Sequence, residues 1–362
     1  MAVPLFDTST PLAPLRGAIH AKLAEVLDAG HYILGPEVAA FERELAGYLG
    51  VPSVLGVANG TDALVLALRA MGVGPGDGVV VPSFTFYASA EAIAVIGANP
   101  VFCDIDPHTF CMTAETVRAA LTPRTKVVMA VHVFGNVAPV AEIEALGLPV
   151  LEDAAQAAGS RTADGRRAGA LGAAATFSFF PSKNLGGFGD GGAVATADAA
   201  LAETVAMLRF HGSRDKVTFE LVGHNSRLDE LQAALLRIEL PLLDSWCDGR
   251  RAAAAHYVEA GLGELAGLPE PVDGCDPAWH LYVIRHGQAV EVAAALKAAG
   301  IGCKSYYGVP LHRQAAMRPW SGVDLPGTDE AARTHLAIPI SPVLTREQAG
   351  EVVAAIRDAD LG

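Results

Sequence analysis

The chain has 362 residues, of which 51% are hydrophobic, and its formal net charge at pH 7 is −14. This length allows two domains with separate cores, or one large domain with a smaller one attached. The negative charge opposes non-specific nucleic-acid binding, and no apolar run approaches the roughly 20 residues that a membrane helix needs. We therefore expect a protein that binds neither nucleic acid nor membranes.

The N-terminus and the cysteines bear on the cellular compartment. Residues 1–10 contain no basic stretch followed by an apolar segment, so a secretion signal is not expected. The five cysteines form no CxxC pair, which disfavours both a disulfide framework and a zinc site. We expect a cytoplasmic protein with reduced cysteines and no metal.

Short β-rich runs alternate with helix-sized segments through the first two thirds of the chain. They predict strands at residues 54–57, 79–82, 101–105, 127–131, 150–153, 176–179 and 193–195. Runs of this kind predict a mainly parallel sheet covered on both faces, which makes the fold class α/β. Ligands collect at the carboxyl ends of such strands, where we expect Asn59, Ser83, His132 and Asp153 to converge on one crevice.

The pattern changes in the last third of the chain. A helix is predicted from Arg227, because apolar residues recur there every three or four positions, and Pro241 should bend it near its end. After residue 246 we predict a helix, a strand at 281–285, a helix at 290–299, a strand at 301–307 and a closing helix from Thr345. We therefore divide the chain into a large domain, 1–245, and a smaller α+β domain, 246–362.

Lys183 is the one basic residue in the apolar, aromatic and glycine-rich stretch 176–194. Burial disfavours an ammonium group, so this setting is typical of a Schiff-base lysine. Asp153 ends a short apolar strand and could sit against the ring nitrogen of pyridoxal 5′-phosphate (PLP). Alternatively, Asp153 could cap a following alanine-rich helix, and Lys183 could be a solvated loop residue. Neither alternative explains both residues together, so they predict a PLP site.

A phosphate site is predicted at the turn in which a helix opens with Gly60, Thr61 and Asp62. Free backbone N–H groups and the helix dipole suit an anion there, although Thr61 or Asp62 could merely cap the helix. Ser178, on the strand before Lys183, could add a hydroxyl or be an ordinary strand residue. The glycine run at 186–192 precedes a strand, so it is not a dinucleotide fingerprint and disfavours a nicotinamide enzyme.

Seven motifs stand in order along the chain: NGTDA at 59–63, VPSFTF at 81–86, EDAAQ at 152–156, FSFFPSKNL at 177–185, HGSR at 211–214, NSRLDELQ at 225–232 and WHLY at 279–282. Nearly end to end, they resemble the DegT-type nucleotide-sugar aminotransferases, which are fold-type I PLP enzymes. The resemblance implies a large domain with a mainly parallel seven-stranded sheet between helices, and a smaller α+β C-terminal domain.

The resemblance also implies roles for individual residues. Lys183 would form the Schiff base and move the proton between the substrate carbon and the cofactor, while Asp153 would keep the pyridine nitrogen protonated. The other implied contacts are Gln156 near the phenolic oxygen, Phe86 stacked on the ring, Gly60, Thr61 and Ser178 at the phosphate, and Asn225 reaching the phosphate from the partner subunit. A homodimer with shared active sites is therefore expected.

Lysine at position 183, where some members of the family have histidine, favours transamination over removal of a hydroxyl. The resemblance implies L-glutamate as donor, and segments 208–214 and 225–232 look more like members that act at C3. We expect a nucleotide-linked 3-ketosugar as acceptor, specifically a dTDP-3-keto-6-deoxyhexose. Alternatives are a 4-ketosugar, a UDP-3-keto uronic acid sugar or a cyclitol ketone, and, from another class, a non-catalytic regulatory protein.

Substrate contacts are expected at Arg227, Tyr306, Tyr307 and His312. The chain departs from the family here, because Ser305, Tyr306 and Tyr307 stand where many members have Ile-His-Tyr. His312 could also be a polar core residue, and the same alternative applies to His280.

Overall fold

The computed structural model describes residues 3–359, so residues 1–2 and 360–362, the ends of the two predicted domains, lie outside the described residues. The strands are β1 Ser53–Val57, β2 Gly78–Pro82, β3 Asn99–Cys103, β4 Thr125–Val131, β5 Val150–Asp153, β6 Ala174–Ser178, β7 Gly192–Thr196, β8 Tyr282–Arg285 and β9 His335–Ile338. The α-helices are α1 Arg16–Ala29, α2 Pro36–Leu49, α3 Gly60–Ala70, α4 Tyr87–Val95, α5 Ala114–Ala120, α6 Val140–Glu144, α7 Ala199–Leu208, α8 Glu230–Glu239, α9 Leu243–Glu259, α10 Ala289–Ala298, α11 Pro326–Thr334 and α12 Arg346–Arg357.

The large sheet has seven strands in the order β1-β7-β6-β5-β4-β2-β3. Strand β7 runs antiparallel to both of its neighbours, whereas the other pairs are parallel. Strands β2 and β7 are buried at every position. Burial on both faces explains why these strands are continuous apolar runs in the sequence. The predicted α/β class and mainly parallel seven-stranded sheet are confirmed.

Two buried clusters flank the sheet strands. One contains Leu66 of α3, Val80 of β2 and Met129 of β4. The other contains Phe41 of α2 and Phe177 of β6, together with apolar residues of α8. The strands and helices on which the site residues lie are therefore packed into buried clusters. Close packing of this kind limits the movement of the site residues.

Glu230, the first residue of α8, ties this helix to the start of α2. Its buried carboxylate accepts hydrogen bonds from the backbone N–H groups of Gly35, Glu37 and Val38 at 2.8–2.9 Å. The predicted helix from residue 227 therefore begins three residues later, after Asp229, which caps it. As expected from Pro241, α8 passes into a 3-10 turn at Leu240–Leu242 before α9 begins.

The predicted strand at 301–307 is wrong. Only Ile301 and Lys304 form isolated bridges in this segment, and Tyr307 has a φ of +66° that an extended strand does not adopt. Instead, β8 pairs antiparallel with β9, a strand that we did not predict. The apolar residues of segment 301–307 have a pattern typical of a strand, but the left-handed backbone conformation at Tyr307 is incompatible with an extended strand there.

A third buried cluster combines Val3 with residues of the C-terminal third, among them Tyr257 and Ile284. Helix α9 runs from Leu243 to Glu259 and so crosses the predicted domain boundary at 245/246, which stays a prediction. Within residues 3–359 we find no helix with the length and hydropathy needed to cross a membrane.

Candidate active site

Asp153 is the last residue of β5, and its carboxylate is buried. It accepts hydrogen bonds from the Ser89 hydroxyl at 2.8 Å and from the Ala155 N–H at 3.2 Å. Burial raises the pKa of Asp153, while these two donors and the charge of Lys183 oppose the rise. Residues 154–160 form turns and no helix, so the alternative role as a helix cap is wrong.

Lys183 lies in the connection between β6 and β7, where its backbone N–H donates to the Phe180 carbonyl at 2.8 Å. Lys183 as a whole residue is half-buried. Burial lowers the pKa of Lys183 to about 8, although the nearby carboxylate of Asp153 raises it in part. A neutral amine is thereby favoured, and a neutral amine can act as a nucleophile or a base.

Gly60 and Ser178 are brought together at the start of α3. A Cβ atom on Gly60 would lie 2.8 Å from the Ser178 Cβ, so only glycine allows this approach. Asn59 caps the helix by accepting the Asp62 N–H at 2.8 Å, so the N-cap is Asn59 and neither Thr61 nor Asp62. The first N–H groups of α3 therefore lie beside Ser178, and such a helix start with a neighbouring hydroxyl suits a phosphate.

Gln156 lies just beyond Asp153 and makes two hydrogen bonds. Its Oε1 accepts the backbone N–H of Phe134 at 2.6 Å, and its Nε2 donates to the hydroxyl of Tyr307 at 2.9 Å. Tyr307 also lies near enough to Asp153 for that charge to raise the pKa of Tyr307, after the larger effect of burial. The structure thus brings Asp153, Gln156 and Tyr307 together.

Other predicted site residues stand on more open surfaces. Phe86 precedes α4, the helix that carries Ser89, and is 60% exposed. Asn225 is exposed as well, next to Phe210, with which it forms an isolated bridge. Both side chains are therefore accessible to a ligand or to a partner subunit.

The remaining predicted substrate residues contact protein groups. His312 is buried, its Nδ1 lies 2.7 Å from the Ser83 hydroxyl, and Arg313 donates to its Nε2 at 3.3 Å. Tyr306 packs beneath the Lys304 ammonium, 4.9 Å from the ring centroid. The Arg227 guanidinium lies 6.0 Å from the ring centroid of Phe210.

His132 does not join the crevice as we expected. Its Nε2 bonds to Glu152 at 2.8 Å, and Glu152 also accepts backbone N–H groups of Gly169, Leu171 and Gly172. Burial raises the pKa of Glu152, but His132 and the backbone donors outweigh it and hold the value below the ordinary range. Successive strand residues face opposite sides, so Glu152 and Asp153 point apart.

Sequence reasoning missed two neighbours of the site, Ser89 and Phe134. It named His280 but did not place this residue near Lys183. His280 is buried against Phe6, with ring centroids 5.9 Å apart, and its Nδ1 has no partner among residues 3–359. Burial, Lys183 and Arg250 hold the pKa of His280 well below its ordinary value. Ser89 could have been found by extending the VPSFTF motif by one helical turn, whereas no pattern marks Phe134, because it acts through its backbone.

These residues fit PLP. The buried carboxylate of Asp153 has no cation hydrogen-bonded to it within residues 3–359 and suits a protonated ring nitrogen, while the lowered pKa of Lys183 suits a Schiff base. At Gly60 a side chain would fill the space beside Ser178. The amine of Lys183, the acid of Asp153 and the helix start at Gly60 together supply the three groups that PLP requires.

Sequence comparison with known proteins gives a family match over nearly the whole chain. The model of the DegT/DnrJ/EryC1/StrS aminotransferase family matches residues 15–357. A Streptomyces venezuelae protein, dTDP-3-amino-3,4,6-trideoxy-alpha-D-glucose transaminase, is 46% identical over 367 aligned positions, covering 98% of this chain and 96% of that protein.

Solved structures give the same result. The crystal structure of S. venezuelae DesV in complex with a ketimine intermediate superposes with a TM-score of 0.96 at 44% identity, covering 100% of this chain and 99% of that chain. NtdA from Bacillus subtilis, solved with bound cofactor PMP, gives a TM-score of 0.89 at 29% identity, covering 99% of this chain and 85% of that one. The predicted family, fold, enzyme class and PLP cofactor are confirmed, and the chain belongs to the DegT/DnrJ/EryC1/StrS aminotransferase family.

Proposed function

We propose that this aminotransferase moves the amino group of L-glutamate to C3 of a dTDP-linked 3-keto-6-deoxyhexose. The observation that carries the proposal is the similarity over nearly the whole chain to the S. venezuelae transaminase, whose name specifies a dTDP-linked 3-amino sugar. The motifs at 208–214 and 225–232 support the same position on the sugar ring. The paired Lys183 and Asp153 support transamination as the reaction.

The side chains divide the chemistry among them. PLP, when bound, supplies an electron-withdrawing ring that stabilises negative charge on the substrate carbon. The Lys183 amine takes a proton from that carbon and returns it, which its lowered pKa favours near neutral pH. Asp153 would keep a proton on the ring nitrogen of bound PLP, and its burial would strengthen this contact. Gly60, Thr61 and Ser178 would hold the phosphate.

Acceptor profiling tests the proposal. The purified protein is incubated with PLP, L-glutamate and matched ketosugars, and amine formation is followed by mass spectrometry. We expect the highest kcat/KM with the dTDP-3-ketosugar. Activity confined to a 4-ketosugar, a UDP-3-keto uronic acid sugar or a cyclitol ketone would overturn the acceptor assignment. Failure with every acceptor, despite exchange of the glutamate amine, would leave only the donor half of the proposal.

We also propose a homodimer that completes each active site with Asn225 of the second copy. The segment 211–224, directly before Asn225, exposes Val217, Phe219 and Val222 at 80%, 59% and 84%. Exposed apolar side chains grouped in one segment favour a protein interface. This location beside Asn225 is what an interface shared with the site requires.

Light scattering of the purified protein tests the dimer. Wild type should have twice the mass of the chain, and Val222→Asp should shift the equilibrium towards monomer. The matched control is Val290→Asp, since Val290 is 77% exposed but lies on α10, away from this segment. A monomeric wild type, or equal dissociation in both variants, would refute the interface.

A cytoplasmic location is proposed from the thiols. All five cysteines are free, and four of them are buried. Free thiols persist in reducing compartments. Localisation of a fluorescent fusion in cells tests this proposal, and accumulation outside the cytoplasm would contradict it.

A further inference from the structure

The backbone N–H of Phe134 determines which way the Gln156 carboxamide is turned, and the Tyr307 hydroxyl contacts the other end of that carboxamide. The Phe134 backbone N–H can only donate, so the group 2.6 Å from it must be the oxygen, Oε1. Nε2 therefore lies on the other side, where it donates to the Tyr307 hydroxyl at 2.9 Å. An amide nitrogen carries two N–H groups, and the second one at Nε2 has no acceptor among residues 3–359.

Tyr307 is held in an unusual backbone conformation. Its φ of +66° lies in the left-handed region, which is costly for a bulky L-residue and persists where surrounding contacts enforce it. The ring stacks on Phe134 with centroids 5.7 Å apart and planes 7° apart, and meets the edge of Phe84 at 5.6 Å. The conformation therefore places the hydroxyl at one position.

The segment that carries Tyr307 is anchored on both sides. Before it, the Ser305 hydroxyl lies 3.0 Å from Nε2 of His335. After it, His312 is fixed to the Ser83 hydroxyl at 2.7 Å. Two buried histidines thus attach the segment to the core, so that the Tyr307 hydroxyl cannot readily move away from Gln156.

We propose that Tyr307 is a positioning residue, which holds the Gln156 carboxamide so that its second Nε2 N–H is directed at the phenolic oxygen of PLP. The proposal rests on the proposed function and on the contact between Gln156 and the phenolic oxygen that the family resemblance implies. A donor is what an anionic oxygen requires, whereas a flipped carboxamide would present its own oxygen and repel it. Burial keeps the pKa of Tyr307 above its ordinary value, so the hydroxyl stays neutral and its contact with Gln156 is a neutral hydrogen bond.

The test uses Tyr307→Phe, which keeps the ring and removes the hydroxyl. We measure the dissociation constant of PLP by absorption and the pH at which the visible band of the PLP-loaded protein changes. Loss of one neutral hydrogen bond should weaken PLP binding about five-fold. The pH midpoint should rise, because the oxygen is less stable as an anion once it has lost a hydrogen-bond donor, and the proton is therefore bound more tightly.

Two further variants separate positioning from general stability. In Tyr257→Phe, a buried tyrosine elsewhere loses one hydrogen bond, from its hydroxyl to the Pro339 carbonyl at 2.6 Å. This control should lower the melting temperature without moving the midpoint. In a Gln156→Ala background, Tyr307→Phe should have no additional effect on PLP affinity, because its effect passes through Gln156.

Three results would overturn the proposal: an unmoved midpoint in Tyr307→Phe, an equal shift in Tyr257→Phe, or independent effects of the Tyr307 and Gln156 substitutions. If wild type takes up no PLP, the proposed function itself fails. The contact can then still be judged in the cofactor-free chain, where the two substitutions should be non-additive in the free energy of unfolding. Additivity there would show that Tyr307 does not hold Gln156.

Discussion

The depressed pKa of Lys183 can be measured in the cofactor-free protein by the pH dependence of amine labelling. With a pKa of about 8 in place of the ordinary 10.5, about one amine in ten is neutral at pH 7, against about one in three thousand. Reactivity at pH 7 should therefore be enhanced roughly 300-fold relative to an ordinary lysine, before any loss of access through burial.

The assay labels the protein with an amine-reactive reagent between pH 6 and 11 and quantifies each lysine peptide by mass spectrometry. The Lys183 midpoint should lie near pH 8. Asp153→Asn should move it lower, since removing a nearby negative charge destabilises the ammonium. Lys22 is an internal control, because hydrogen bonding to Glu25 raises its pKa.

Two results would refute this reasoning. A Lys183 midpoint near 10.5 would show that the amine is not desolvated. A midpoint that Asp153→Asn leaves unchanged or raises would show that the carboxylate does not act on the amine.

Three other substitutions have defined outcomes. Lys183→Ala should still bind PLP through the phosphate contacts at Gly60, Thr61 and Ser178, as measured by absorption. The same variant should lose turnover with L-glutamate, as measured by amine formation. Gly60→Ala should weaken PLP binding at least ten-fold, since its Cβ would lie 2.8 Å from the Ser178 Cβ, as measured by titration. The free energy of unfolding of Glu239→Gln should increase relative to that of wild type as the pH rises from 4.5 to 8, by up to roughly 4 kcal/mol, as measured by denaturant titration.

The sign of the Glu239 prediction follows from burial, which raises its pKa from 4.5 to about 8. Above 4.5 the unfolded chain loses this proton while the folded chain retains it, so wild-type stability falls until pH 8. An unchanged difference between the two proteins over this range would contradict the assignment. For Gly60→Ala the control is Gly47→Ala, whose Cβ would meet nothing within 4 Å and which should leave PLP binding unchanged.

Much of the large sheet could be predicted because its strands are buried and therefore continuous in hydrophobicity. Predicted strands lie within two residues of the observed bounds, as at β3 and β6. The proximity of Lys183 and Asp153 could also be predicted, since two charged residues in apolar stretches are informative when they are considered together. The small sheet could not be predicted in full, because segment 301–307 has the composition of a strand but the conformation of a loop.

Contacts that depend on the backbone or on distant segments escaped prediction. The N–H of Phe134 leaves no trace in residue type, and Ser89 lies one helical turn beyond the motif that ends at Phe86. His132 follows a strand, as the other crevice residues do, yet pairs with Glu152 on the other side of the sheet. Which partner a polar residue finds is decided by three-dimensional packing, not by its position after a strand.

The position of β1 has a consequence for how the protein is made. This strand lies at the sheet edge, and its one neighbour in the sheet is β7, which follows all the other strands of that sheet in the chain. A chain emerging from the ribosome therefore carries an unpaired β1 until β7 has been synthesised. The chain loses the entropy of closing this long loop before the stabilising contacts between β1 and β7 can form, so we expect slow folding. The approach of Gly60 on α3 to Ser178 on β6 is then completed late, and PLP should bind only after the sheet has assembled.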